Sequence, residues 1–205
     1  GYIMIGIIIG GRLGYVIFYD PKLFLNNMPE IFKLWKGGMS FHGGFIGVVL
    51  AIYIFSYYKK INYKIYFDTI CCVAPIGIFF GRIANFINGE LYGVPTNKPW
   101  GIIFPEVDNL TRHPSQIYEA LLEGLILFVI LNFILRKKIL GNGMISSLFL
   151  ICYGIFRIIS EQFREPDKHI GYVIESLSMG SILSSVMIIF GFIFLSKIIL
   201  NEKNR

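Results

Sequence analysis

Charged side chains are scarce in this chain. Asp, Glu, Lys and Arg make up 16% of its 205 residues, against 55% apolar residues and a mean hydropathy of +0.63. That balance excludes an ordinary soluble domain and fits an integral membrane protein. Cysteine is scarce too. Cys71, Cys72 and Cys152 are odd in number, lie inside apolar stretches and lack the spacing of metal ligands, so they read as buried packing thiols and no metal site is expected. A catalytic thiol needs electropositive, partly exposed surroundings that these neighbours do not offer. No sustained internal repeat, low-complexity segment or soluble linker interrupts the sequence, so one membrane domain over residues 1–205 is the simplest partition. Stretches of about ten residues alternating apolar and polar are also missing, which argues against a β-barrel.

What the chain does have is continuous apolar sequence. It falls into about six blocks, Gly1–Tyr19, Met39–Tyr58, Ile65–Phe80, Ala120–Leu135, Met144–Ile159 and Leu177–Leu200, near the ~20 residues that cross a bilayer as helix. The fold expected is an all-α, polytopic transmembrane protein with about six helices. The third and fourth blocks are short, so their helices should extend into flanking polar sequence. The chain starts at Gly1, already inside an apolar block with Arg12 in its middle. No charged segment with a small-residue cleavage site is present, so this start does not read as a signal peptide, and a preceding N-terminal piece is expected.

The net charge of +6 does not point to nucleic acid, because the basic residues flank the apolar blocks and form no dense stripe. Lys59, Lys60 and Lys64 fill one short connection, Arg136, Lys137 and Lys138 another, and Lys197, Lys203 and Arg205 close the chain. Basic clustering in short loops marks the cytoplasmic side. Alternation then places His42, the run from Arg82 to Glu90, the His113 region and the stretch from Arg157 to Asp167 in an extracytoplasmic polar region.

Four clusters carry the polar chemistry. In Gly37-Gly38-Met39-Ser40-Phe41-His42-Gly43-Gly44, an imidazole stands at a helix entrance between glycine pairs. His42 is a candidate base or phosphate contact, or a structural interface histidine, while Gly43, Gly44 and Gly47 are also suited to close helix packing. In Gly81-Arg82-Ile83-Ala84-Asn85-Phe86-Ile87-Asn88-Gly89-Glu90, continued helix would put Arg82, Asn85 and Asn88 on one face. An arginine flanked by amides suits a phosphate, which guanidinium grips with paired hydrogen bonds; Glu90 is either part of that site or an ion-pair partner for Arg82 or Arg157. Charged groups at such depth are costly unless they line a wet or protein-enclosed cavity, so a site is the default reading.

Pro95, Pro99 and Pro105 argue against helix in the next connection, and Trp100 and Tyr118 suit the headgroup interface. Arg112 and His113 either bind anionic lipid or anchor the following helix. The fourth cluster spaces Tyr153, Arg157 and Glu161 along one helix face, with Pro166 expected to end that helix. Its bland alternative is an internal Arg157–Glu161 ion pair, and Glu119 with Glu123 shows that acids occur elsewhere in apolar sequence. Two arginine sites on one side nevertheless suit a cradle for an anionic substrate.

Together these strings resemble the prolipoprotein diacylglyceryl transferase family. The residues that carry the resemblance are Gly10-Gly11-Arg12-Leu13-Gly14-Tyr15, Met39-Ser40-Phe41-His42-Gly43-Gly44, the run from Gly81 to Gly93, Arg112-His113-Pro114-Ser115-Gln116-Ile117-Tyr118-Glu119, and Tyr153 to Asp167. The resemblance implies a multi-pass enzyme of the bacterial inner membrane with its site toward the extracytoplasmic side. Such an enzyme moves diacylglyceryl from phosphatidylglycerol to the lipobox cysteine thiol of a prolipoprotein, releases glycerol phosphate and needs no cofactor. It also implies a further helix before Gly1, seven crossings in all, bearing a tyrosine near the site.

Carried over residue by residue, His42, Arg82 and Arg157 are expected to be catalytic. Arg82, Asn85, Asn88, Glu90, Gly93, His113, Tyr153 and Glu161 are expected to bind substrate, and Asp68 matches a further characteristic position without an assigned role. A departing phosphate needs nearby positive charge, and a base near the thiol raises its thiolate fraction. Readings from other classes are a polytopic transporter, which should show repeated halves and broken helices, and a non-catalytic protein that binds anionic lipid. Only the enzyme consumes phosphatidylglycerol and yields a lipidated peptide.

Overall fold

The computed structural model describes residues 1–18, 28–135, 142–166, 172–174 and 177–203. Arg136, Lys137, Lys138, Asp167 and Arg205 lie outside these residues. Each apolar block forms a helix: α1 (Tyr2–Phe18), α2 (Phe41–Lys59), α3 (Tyr63–Ile87), α4 (residues 115–135), α5 (Met144–Glu161) and α6 (Met179–Lys203). Among the described residues, four segments are long and apolar enough to cross a membrane, Tyr63–Ile87, Ser115–Phe133, Met144–Glu161 and Gly180–Lys203, and Tyr2–Ile17 is a shorter apolar helix. As expected from their short apolar cores, α3 and α4 run into polar sequence. α3 takes in Arg82 and Asn85, and α4 begins at Ser115. Two compact units result, Gly1–Tyr66 and Phe67–Arg205.

The first unit is a hairpin of α1 and α2 built on backbone contact. Gly6, Gly10 and Gly14 recur every fourth residue and meet Gly43 and Gly47; a Cβ on Gly10 would strike the Gly43 carbonyl, and one on Gly47 the Gly6 carbonyl. Lipid tails are as apolar as leucine, so helices in a bilayer gain most where small residues let their backbones touch. Gly43 and Gly47 therefore serve packing. Arg12, buried in α1, would be costly there without partners. Its Nε donates to Ile31 O at 2.7 Å and its Nη1 to Gly38 O at 3.0 Å and to Gly37 O, so carbonyls of the connecting segment neutralise the cost. Ser40 starts α2, its hydroxyl accepting from Gly43 N at 3.3 Å while its own N–H donates to Gly11 O at 2.8 Å.

In the second unit Cys72, Leu127, Leu131 and Ile145 form the buried apolar core, with Cys71 and Cys152 packed against it. The three cysteines are free thiols in packing positions, as their neighbours in the sequence suggested. Asn132 Nδ2 of α4 donates to Cys72 O of α3 at 3.3 Å, a polar tie between two apolar helices. Residues 88–114 are not helical, in keeping with Pro95, Pro99 and Pro105. They carry a short antiparallel pair, Ile102–Ile103 with Thr111–Arg112, and isolated bridges join Gly93 to Arg164 and Pro95 to Arg112.

Arg112 locks this region. It donates to Gly93 O at 2.9 Å, to Glu165 Oε2 at 3.0 Å and to Asp108 Oδ2 at 2.7 Å, and its guanidinium lies 4.8 Å from the Tyr92 ring centre. The Asp108 bonds, and less strongly Glu165, hold its pKa above the ordinary arginine value against the opposing pull of burial. Arg112 thus ties the non-helical connection to itself and to Glu165, and these contacts do not reach the helix that follows.

Asp68, left without a role by sequence, caps a neighbouring helix. It is fully buried, and its carboxylate accepts from Gly143 N at 3.0 Å, Ser146 N at 2.9 Å and Ser146 Oγ at 2.7 Å. Those N–H groups lie at the start of α5, where a helix has no intrahelical acceptor to offer them, and Asn142 Oδ1 takes the Met144 N–H at 3.1 Å. Replacing Asp68 with Ala should therefore cost roughly 2–3 kcal/mol, read as a lowered unfolding midpoint in detergent, with Asp68→Asn losing less because one acceptor oxygen remains. Gly47→Val, which drives a side chain into the α1 backbone, should cost about 1–3 kcal/mol by the same measurement, whereas Val substituted at exposed Leu50 should change little.

Candidate active site

The polar run that follows Phe80 is a helix end. α3 carries Arg82 and Asn85, both half-buried, and stops at Ile87. Gly89 has φ +68°, its N–H donates to Phe86 O at 3.2 Å, and Glu90 N donates to Asn85 O at 2.9 Å. This pair of bonds around a left-handed glycine satisfies the last carbonyls of a helix and ends it. The expectation of continuous helix through Asn88 is thereby corrected. Asn88 caps α3 in an exposed position, and of the three polar residues only Arg82 and Asn85 are half-buried within the helix.

Arg82 points at two acids of α4. Its Nε lies 2.9 Å from Glu119 Oε2 and its Nη2 3.5 Å from Glu123 Oε2. From α5, Arg157 reaches the same carboxylates, with Nη1 2.6 Å from Glu119 Oε1 and 3.5 Å from Glu123 Oε1, while Nη2 pairs with Glu161 Oε2. Arg164 Nη1 approaches Glu119 Oε1 at 3.5 Å. Hydroxyls complete the set: Ser160 Oγ donates to Glu123 at 2.9 Å and Ser178 Oγ to Glu161 at 2.8 Å.

Glu119 and Glu123 are wholly buried, and the Arg82 and Arg157 side chains are 17% and 10% exposed. The Arg82–Glu119 contact is short but off the N–H axis, so Glu119 Oε2 is held by charge attraction without an aligned hydrogen bond. Three guanidinium groups thus face three carboxylates. Removing one member of such a buried set strands the opposite charge, at about 3–5 kcal/mol.

A wide turn frames the two acids. α4 is α-helical over Ser115–Glu119, opens into a π segment over Ala120–Ile126 and returns to α-helix over Leu127–Leu135. Glu119 ends the first part and Glu123 lies inside the π segment. Gly124, on that same turn, lies so close to Phe79 of α3 that a Cβ would collide with it. π segments cost hydrogen-bond geometry and recur at functional sites.

The other sequence candidates are placed as follows. Tyr153 and Glu161 flank Arg157 on α5; Tyr153 stacks on Phe149 with ring centres 5.6 Å apart and is near enough to Glu123, Arg157 and Arg82 to feel their charges. The Glu90 side chain is exposed and forms no ion pair among the described residues, so the acids beside Arg82 and Arg157 are Glu119, Glu123 and Glu161. Gly93 is buried where a Cβ would strike the His113 and Phe163 carbonyls, and it joins the bridge to Arg164.

His113 Nδ1 lies 3.0 Å from the Tyr118 hydroxyl, which also accepts from Trp100 Nε1 at 2.8 Å. Those three residues, with Leu121, Leu122, Ile126 and Phe163, line an open groove of about 420 Å³. His42 is exposed in the first turn of α2 and belongs to the N-terminal unit, whereas Arg82 and Arg157 belong to the other. Among the described residues no group of His, Cys, Asp and Glu is arranged to hold a metal. Sequence reasoning gave no role to Glu119, Glu123, Ser160 or Arg164. The available signal was the i, i+4 pair of acids in an apolar helix, which is too costly to leave unpaired.

The family model for prolipoprotein diacylglyceryl transferase matches residues 1–197. A protein of Rickettsia bellii (strain OSU 85-389) is 54% identical over 198 residues, 96% of this chain and 75% of its own length. Relatives from Rickettsia felis and Rickettsia typhi are 53% and 54% identical over 192 residues, 93% of this chain and 74% of theirs. All three are named phosphatidylglycerol–prolipoprotein diacylglyceryl transferase. With a match that spans nearly the whole chain, and with the residues of the arginine–glutamate cluster inside it, this protein belongs to the prolipoprotein diacylglyceryl transferase family.

Proposed function

We propose that this protein transfers the diacylglyceryl group of phosphatidylglycerol to the lipobox cysteine thiol of a prolipoprotein and releases glycerol phosphate. Membership of the family, whose relatives are named for that activity, supports the reaction. The observation that carries its location is the convergence of Arg82 and Arg157 on Glu119, inside segments able to cross a membrane.

The chemistry follows from the charges. The cysteine sulfur attacks the glycerol carbon that bears the phosphate oxygen, the carbon–oxygen bond breaks, and negative charge collects on the departing phosphate. Preorganised guanidinium groups stabilise that charge best away from bulk water, and Arg157 is buried and Arg82 half-buried. His42 is the proposed acceptor of the thiol proton. Asn85, Asn88, Glu90 and Tyr153 are proposed to contact the headgroup. Gly93, His113 and Glu161 shape the site around it, Gly93 by letting two strands of backbone meet and Glu161 by holding Arg157.

The proposed setting is the bacterial cytoplasmic membrane, crossed by the six helices of this chain. The clusters at Lys59, Lys60 and Lys64 and at Lys197 and Lys203 would then face the cytoplasm, and the arginine–glutamate site the opposite side.

Purified protein incubated with glycerol-labelled phosphatidylglycerol and a lipobox peptide should release labelled glycerol phosphate and raise the peptide mass by one diacylglyceryl group. A peptide with Ser in place of the lipobox Cys should give no product, and Arg157→Ala should lower the rate at least ~100-fold. Folded protein that binds phosphatidylglycerol and makes no product would overturn the transferase reading in favour of a binding or transport role.

A further inference from the structure

We infer that Glu119 is the positioning residue of the arginine pair: one carboxylate, shared between two helices, fixes where Arg82 presents its charge. This rests on the transferase reading above and adds a residue to it. Glu119 uses both oxygens, one for each arginine, at 2.9 Å to Arg82 Nε and 2.6 Å to Arg157 Nη1. Glu123 is 3.5 Å from each guanidinium and also accepts from Ser160, so it is the weaker link. The Glu119 side chain is wholly buried between α3 and α5.

The two arginines are not equivalent. Arg157 is met by three carboxylates, through Nη1 and Nη2. Arg82 is met by two, through Nε and Nη2, and is the more exposed. Among the described residues no carboxylate is paired with Arg82 Nη1. That nitrogen is therefore the edge a phosphoryl oxygen can take without displacing an acid, while Arg157 is an inner hub that orients Glu119. A carboxylate between two guanidiniums does two things. It aims them, and it tempers their attraction for any anion, the substrate headgroup and the released glycerol phosphate alike.

The kinetic signature follows in sign. Glu119→Gln keeps the shape and removes the charge, so the anion is held as tightly or more tightly, while Arg82 loses the anchor at Nε that aims it at the leaving phosphate. A group that only supported the fold would change the amount of folded protein and nothing measured per folded molecule. The experiment measures kcat, KM for phosphatidylglycerol and inhibition by glycerol phosphate, normalised to folded protein, in wild type, Glu119→Gln, Arg82→Lys and the double variant.

Expected for Glu119→Gln is a kcat lower by ~30-fold or more, a KM that does not rise, and tighter inhibition by glycerol phosphate. Arg82→Lys should cost several-fold less in the Gln background than in the wild type, the mark of coupled residues. Wild-type kinetics, a raised KM with unchanged kcat, or additive effects of the two substitutions would each overturn the inference. Should Glu119→Gln fail to fold, Glu119→Asp, which keeps the charge on a shorter stem, is read for a lowered kcat and non-additivity with Arg82→Lys; wild-type kinetics there, or failure of both variants to fold, makes the residue structural. Absence of product from the wild type overturns the transferase reading itself, whereas an active wild type beside an unaffected Glu119→Gln overturns this inference alone.

Discussion

A buried carboxylate must be answered by a cation, and in the larger unit that requirement sets the arrangement of three helices. Glu119 and Glu123 on α4 are fully buried, so Arg82 from α3 and Arg157 from α5 have to meet them. Coulomb attraction is strong in so buried a place and desolvation is costly by a similar amount, so the cluster gains little stability and much specificity of arrangement. Slippage of one helix turn, about 5.4 Å, would separate the charges and leave each uncompensated. The same cluster brings three guanidinium groups together, so the constraint that orders the fold also places the cations of the proposed site.

α5 shows how the register is held at both ends. Its start is tied to Asp68 of α3, its end to Glu119 and Glu123 of α4, and Ser178 just before α6 reaches back to Glu161. Between those polar ends lies an apolar core containing Cys72, Leu127, Leu131 and Ile145. Greasy side chains alone would let α5 slide or rotate at small cost. The two polar ends remove that freedom, which suits a helix whose Arg157 has to sit within ångströms of its partners.

Much of this was legible beforehand, for physical reasons that can be named. Continuous apolar runs near bilayer length gave the six helices, and the short runs at Ile65 and Ala120 correctly pointed to helices that continue into polar sequence. The prolines at 95, 99 and 105 marked the non-helical connection. The acids escaped. Glu119 and Glu123 share a helix face at i, i+4, but which cation answers them is decided by helices far away in sequence, and local pattern holds no trace of that choice. The π turn is equally silent, because its residues have no composition of their own. Asn88 was placed within the helix because periodicity was extended one residue past its end, although Gly89 was a readable stop. Glu90 was considered as a partner for Arg82 because it is near in sequence, whereas the acids that take the role lie about thirty residues and more downstream.

The cap that Asp68 provides also has a consequence in time. The chain is made from its N-terminus, and the donors that satisfy Asp68 lie 75 and 78 residues further along. α3 is therefore made before the backbone that quiets its carboxylate exists, and Arg82 likewise precedes Glu119 and Glu123. Membrane insertion and assembly are thereby linked, since α3 carries charges that stay unanswered until α4 and α5 have been synthesised and brought alongside it. For this protein the order of synthesis is also an order of charge compensation, in which α3 waits for α4 and the start of α5, and the acids of α4 wait in turn for Arg157 and Ser160.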